Sequence, residues 1–156
     1  MYKILIDLDV VTVGLWNKLD SRKDIAKKFI KRIEEDEFIL VTPFILIDLI
    51  SKWNNKNLVS NIKEFYFINS TKIISDLEIE KISELIRIDF NKLIMDLYKI
   101  GVKKEDGALV IICSMFNLDY FVTFNRKHLK NKKEVINEVL KENGLKTIKI
   151  IEPNEI

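Results

Sequence analysis

Apolar residues fall into two kinds of run along this chain. The first kind is short, nearly continuous and rich in Ile, Leu and Val: Tyr2–Val13 (YKILIDLDVVTV), Glu37–Thr42 (EFILVT), Tyr120–Phe124 and Thr147–Ile151. Such runs predict buried parallel strands rather than helices. Thr71–Ile74 is a weaker run of the same kind and predicts an edge strand. The second kind repeats at helical spacing, which lays the apolar residues along one face. It predicts a helix capped by Asp20 or Ser21 and running to about Glu35, with Ile25, Phe29, Ile30 and Ile33 inward. Thr42-Pro43 predicts a helix start, Thr as cap and Pro in the first turn, opening PFILIDLISKW. A short helix over Leu58–Phe67 follows. Ser75-Asp76-Leu77-Glu78 fits a capping box, opening one long amphipathic stretch through Ile79, Ile82, Ile86, Phe90, Leu93 and Leu97 to a stop at Gly101. Lys103–Met115 reads as a buried helix, and Glu134–Glu142 as a helix stopped by Asn143-Gly144.

Strands alternating with helices predict an α/β domain, a three-layer α/β/α sandwich on a mainly parallel sheet of four to five strands. The 156 residues form one domain, 1–156. Hydrophobic residues at 47% and charged residues at 32% exclude a disordered or membrane-embedded chain. The net charge of +2 is too small to imply a nucleic-acid partner without a local basic patch. Cys113 is the single cysteine, so no intrachain disulfide forms and a reducing compartment is expected. Asp7 and Asp9 break the N-terminal apolar region too early for a signal peptide. Gly107–Leu118, the longest uncharged stretch, falls short of the ~20 residues a bilayer needs. A cytoplasmic, soluble protein with no membrane partner is the expectation.

The candidate chemistry lies in acids set within apolar runs. Asp7 and Asp9 lie in the first strand, where alternation would send both to one face. Asp48 interrupts PFILIDLI, and Asp106 precedes GALVII. A carboxylate in such a setting is costly unless paired, hydrogen-bonded or on a metal. The carboxyl ends of parallel strands are also where ligands bind. Acids gathered there, with a single His in the whole chain, favour a hard divalent ion, Mg²⁺ or Mn²⁺, over Zn²⁺. Such ions commonly serve phosphoryl chemistry.

ILIDLDVV, TPFILIDL, EDGALVIICSM and DYFVTFNRKHL, taken in this order, resemble the motifs of PIN-domain ribonucleases, the fold of VapC-type toxins. The resemblance spans nearly the whole chain and rests on the ordered set. It implies a PIN-like sandwich and a metal-dependent ribonuclease cutting phosphodiester bonds in single-stranded RNA. Asp7, Asp48 and Asp106 would be ligands or water-positioning acids around Mg²⁺ or Mn²⁺. Asn125 would hydrogen-bond a metal-bound water, Thr123 would fix the loop, and Asp9 and Glu105 would support. Lys103, Lys104, Arg126, Lys127 and Lys130 would hold RNA phosphates. A toxin role would bring an antitoxin protein as partner, and the Ile79–Leu97 face is a candidate homodimer seam. The chain departs from the family in three places: Asp9 stands where Asn is usual, Asp48 where Glu is common, and Asn125 where Asp is frequent.

Other readings stay open on the sequence. Asp7 could be a structural cap, Asp48 could pair with Lys52, and Asp106 could serve the helix dipole. Asn125 could be a plain cap, His128 a surface residue, and the basic run a solvated face. Trp16 and Trp53 read as core or interface anchors. A degenerate PIN domain that binds RNA or protein without cutting is one rival function. A second rival starts from Asp7-Leu8-Asp9, which resembles the D-x-D opening of haloacid-dehalogenase-like phosphatases, with Asp7 as nucleophile and Asp9 as acid/base.

Overall fold

In the computed structural model, which describes residues 1–16 and 18–156, five parallel strands form one sheet in the order β3-β2-β1-β4-β5. The strands are β1 (Lys3–Ile6), β2 (Ile39–Pro43), β3 (Ser70–Ile74), β4 (Tyr120–Val122) and β5 (Lys149–Ile151). The helices are α1 (Leu8–Leu15), α2 (Lys23–Glu34), α3 (Phe44–Ser51), α4 (Lys56–Asn69), α5 (Asp76–Leu85), α6 (Phe90–Lys99), α7 (Lys104–Met115) and α8 (Lys133–Glu142). α1 to α4 pack together in one layer and α5 to α8 in the other. The predicted three-layer α/β/α sandwich is therefore present. With helices on both sides, β1 is buried on both faces: Ile4, Leu5 and Ile6 are sealed from solvent. That is why the strand runs show no polar alternation. None of the described helices is long and apolar enough to cross a membrane.

Several element boundaries differ from the sequence expectation. The run Tyr2–Val13 is not one strand. β1 ends at Ile6, Asp7 caps a helix by accepting the Leu8 N–H at 2.8 Å, and Asp9 falls in the first turn of α1. The Val10-Val11-Thr12-Val13 stretch has β-branched side chains, yet it is helical because Val10, Val11 and Gly14 share a face that enters the core. Burial outweighs the small propensity cost. Asp7 and Asp9 thus meet through a helix cap, not through strand alternation.

Thr42 is not the cap of α3. It lies in β2, its hydroxyl 2.7 Å from that of Ser70, and Pro43 occupies the cap position. The predicted α2 cap also shifts: Asp20 accepts from the Arg22 backbone and guanidinium, and the helix begins at Lys23. The stretch from Ile79 to Leu97 is two helices. Arg87 breaks it with φ +57°, and Asp89 starts α6 by accepting the Lys92 N–H at 3.1 Å. Ser75 does cap α5, but Glu78 pairs with Lys72 at 2.9 Å, so the reciprocal half of the capping box is absent.

The register sets the site. Ile6 lies opposite Val122, so the next residues, Asp7 and Thr123, become neighbours at the carboxyl edge. The Asp7 N–H donates to the Val122 carbonyl at 2.9 Å and extends the ladder by one step. Beneath this edge the fully buried Tyr66 on α4 donates its hydroxyl to the Ile6 carbonyl at 3.0 Å. Tyr66→Phe strands that carbonyl without a donor and is expected to cost roughly 1–2 kcal/mol. Urea unfolding measures the loss, and an unchanged midpoint would show that the hydroxyl contributes nothing.

Candidate active site at the carboxyl edge of the sheet

A cleft of about 620 Å³ opens at this edge, within the range of small-ligand sites. Asp7, Asp9, Glu105, Asp106, Lys103 and Asn125 line it together with Thr12, Trp16, Lys18, Arg22 and Trp53. Asp7 and Asp9 come to the cleft from β1–α1, and Asp106 from the first turn of α7. α7 leads into β4 and starts at the carboxyl edge, which brings Asp106 to the cleft.

Thr123 ties the acids to the loop after β4. Its buried hydroxyl donates to Asp7 Oδ2 at 2.8 Å and lies 3.3 Å from Asp9 Oδ2. One hydroxyl carries one proton, so the shorter contact, to Asp7, is the stronger. The same oxygen accepts the Asn125 N–H at 3.0 Å, and Asp9 Oδ2 accepts the Phe124 N–H at 3.1 Å. Asn125 in turn caps its turn by accepting the His128 N–H at 3.0 Å. Thr123 thus holds the loop, as expected, and Asn125 is both a cap and a cleft residue.

The electrostatics are those of crowded carboxylates short of cations. Burial, then the charges of Asp9 and Asp106, push Asp7 up to about 8, against the hydrogen bonds from Thr123 and Leu8. Burial pushes Asp9 up to about 6, opposed by the N–H groups of Phe124 and Val10, the Thr123 hydroxyl and Arg22. Asp106 is also raised by burial, with Lys103 and His128 opposing. Among the described residues, neither Asp9 Oδ1 nor Thr12 Oγ1, both buried, finds a hydrogen-bond partner. Polar oxygens left this way are rare and costly.

The remaining expected site residues are placed elsewhere. Asp48 is exposed on α3 and does not line the cleft, because Leu46, Ile47 and Ile50 take the inward face of that short helix. Lys104 reaches over the Tyr98 ring instead, 5.5 Å from its centroid. Lys127 is exposed outside the cleft lining. Arg126 and Lys130 are engaged by the buried Glu152, at 2.8 and 2.7 Å, and Lys130 also bridges to Glu155. These two cations anchor the C-terminal turn. Glu152→Ala is expected to cost roughly 1–3 kcal/mol by removing the buried carboxylate that Arg126 and Lys130 share, which leaves Lys130 with Glu155 alone. A thermal melt matching the parent would remove this structural role.

The cleft contains residues that the sequence did not mark. Trp16 is half-buried and packs against the core with part of its surface, whereas Trp53 is 38% exposed and is not a core anchor. Thr12 joins them from α1 itself, one turn after Asp9, and Lys18 and Arg22 join from the chain that follows α1. Cys113 is fully buried and its thiol is raised by burial, as expected of an inert cysteine.

Among the described residues, no three or more His, Cys, Asp or Glu side chains stand close enough to form a ready-made metal cage. The adjacent pair Asp7 and Asp9 is a donor set of the kind that Mg²⁺ accepts. That ion binds through one or two carboxylates and keeps several waters. The orphan Asp9 oxygen and the raised carboxyls fit a group that gains from a cation. Comparison with models of known protein families and with curated proteins gives no match. The likeness to PIN-domain ribonucleases rests on the residues quoted above.

Proposed function

We propose that the chain is a Mg²⁺- or Mn²⁺-dependent ribonuclease that hydrolyses phosphodiester bonds in single-stranded RNA. The observation that carries this reading is the Thr123-bridged pair Asp7 and Asp9, with Asp106 in the same cleft, at the carboxyl edge of a parallel sheet. Asp7 and Asp9 would hold the ion. When bound, the ion supplies neutralisation of phosphate charge and a water of lowered pKa. Thr123 fixes the direction of the two carboxylates and the start of the β4 loop. Asp106 would take a proton within the cleft. Asn125 presents its amide at the rim, and Lys103 adds positive charge beside Asp106. A role as the toxin of a pair, with an antitoxin covering the cleft, belongs to the same proposal.

The test is cleavage of an unstructured RNA with Mn²⁺ or Mg²⁺ and with chelator. Cutting is expected only with the metal, and Asp106→Asn is expected to slow it by more than about tenfold. Cutting that Asp106→Asn leaves at the parental rate would overturn the assignment of that acid. The exposed Asp48 and the uncharged Asn125 favour the second reading, a binding module without catalysis. It wins if RNA binds equally with chelator and with Mn²⁺ and is never shortened. A phosphoryl group trapped on Asp7 would point instead to the phosphatase reading.

A further inference from the structure

The chain has two tryptophans, and both line the cleft that holds the acids. Trp16 closes α1, and Trp53 lies just past α3. Large aromatic rings are more often packed away, and Trp53 keeps 38% of its surface open. The Lys18 ammonium sits 4.4 Å from the centre of the Trp16 ring, and Arg22 and Lys103 add positive charge to the same lining. Aromatic faces interleaved with cations are what a single strand needs: rings for its bases and charges for its phosphates. A duplex keeps its base faces stacked inside and cannot offer them.

We propose that Trp16 and Trp53 are stacking platforms for unpaired nucleobases, and that they set the preference of this cleft for single strands over duplexes. The inference rests on the ribonuclease reading for its substrate class. On the Trp16 face, an incoming base competes with Lys18. Lys18 is solvent-exposed, which keeps its hold on the ring the weaker of the two contacts, so the base displaces it and Lys18 is released toward the neighbouring phosphate. Arg22 is held by Asp20 and by the Phe124 ring, so it contributes a fixed positive rim. Neither tryptophan touches the reacting atoms in this scheme. They position the strand.

Intrinsic fluorescence reads the proposal directly, because no third tryptophan contributes. The full chain is titrated, in chelator so that nothing is cut, with a short unstructured oligoribonucleotide, its abasic counterpart of equal charge, and a duplex of the same length. The base-bearing single strand is expected to quench the emission and to bind most tightly. Trp16→Leu and Trp53→Leu are each expected to weaken binding roughly 5- to 150-fold, whereas Trp→Phe at either position retains most of it. Equal binding of the abasic strand, parental affinity in both Leu variants, or no binding of the single strand overturns the stacking role. If the Leu variants fail to fold, quenching of the parent and of the single-tryptophan Phe variants decides. The two readings fail separately. Quenching by bases without metal-dependent cutting under any condition removes the nuclease and keeps the platforms. Cutting that depends on Asp7 but ignores both tryptophans does the reverse.

Discussion

Asp7→Asn is expected to lower metal-dependent RNA cleavage by more than about 100-fold while making the metal-free protein more stable at neutral and alkaline pH. The first effect follows from removing one of two adjacent ligands, a larger loss than the 10- to 100-fold typical of groups that merely support a ligand. The second follows from proton linkage. Asp7 titrates near 3.8 in an unfolded chain and is pushed up to about 8 in the fold by burial and by Asp9 and Asp106. The folded protein therefore keeps a proton that the unfolded chain releases. This stability is fully present below about pH 4 and drains away as the pH rises toward 8. Asparagine cannot titrate, so the variant lacks that slope and should exceed the parent by roughly 2–4 kcal/mol near the upper end. Denaturant unfolding across this range measures the difference. Saturating Mn²⁺ should raise the midpoint of the parent and leave that of the variant unmoved, since only the parent gains binding energy. Parallel curves for the two proteins at every pH would mean that Asp7 carries no such strain, and the cation site would lose its basis.

Thr123→Val is the second large effect. Its hydroxyl touches both carboxylates and the backbone of Asn125. Valine keeps the shape and removes the proton, leaving Asp7 Oδ2 buried with one donor fewer. The expected loss is roughly 2–4 kcal/mol, the range for a buried carboxyl oxygen losing a donor plus the stranded Asn125 N–H. Activity should fall by about 10- to 100-fold because the carboxylates are no longer oriented. Thr123→Ser restores the hydroxyl and should recover most of both quantities. If valine loses stability and serine does not regain it, the methyl packing of Thr123 matters more than its hydrogen bonds. If valine keeps full activity, the bridge is not part of the catalytic arrangement.

Much of the architecture was legible along the chain because burial on both faces of a parallel strand leaves a run of Ile, Leu and Val that few other settings tolerate. The strands at Ile39–Pro43, Ser70–Ile74, Tyr120–Val122 and Lys149–Ile151 all fall within or beside runs of that kind. The failures are local. At Val10–Val13, β-branched residues spoke for a strand while Asp7 supplied a helix cap, and the core face of α1 decided the contest. At Ile86–Asp89, helical spacing continued across a break that Arg87 makes in backbone conformation alone, which no periodicity of side chains reveals. Within the site, Asp7, Asp9, Thr123 and Asp106 were readable as acids and a hydroxyl near strand ends. The basic run was readable only as charge. Whether a lysine faces RNA or a glutamate depends on what stands across from it, and for Arg126 and Lys130 that is Glu152, more than twenty residues further on.

The sequence by itself determined the layer order of this protein, its parallel sheet and the acids at the sheet edge, because hydrophobic runs and cap residues act over a few neighbouring positions. Only the tertiary structure decided that Asp48 turns away to solvent, that Glu152 claims the cations, and that two tryptophans stand beside the carboxylates. Those outcomes depend on which surfaces remain uncovered once the helices have packed, and packing is a property of the whole chain.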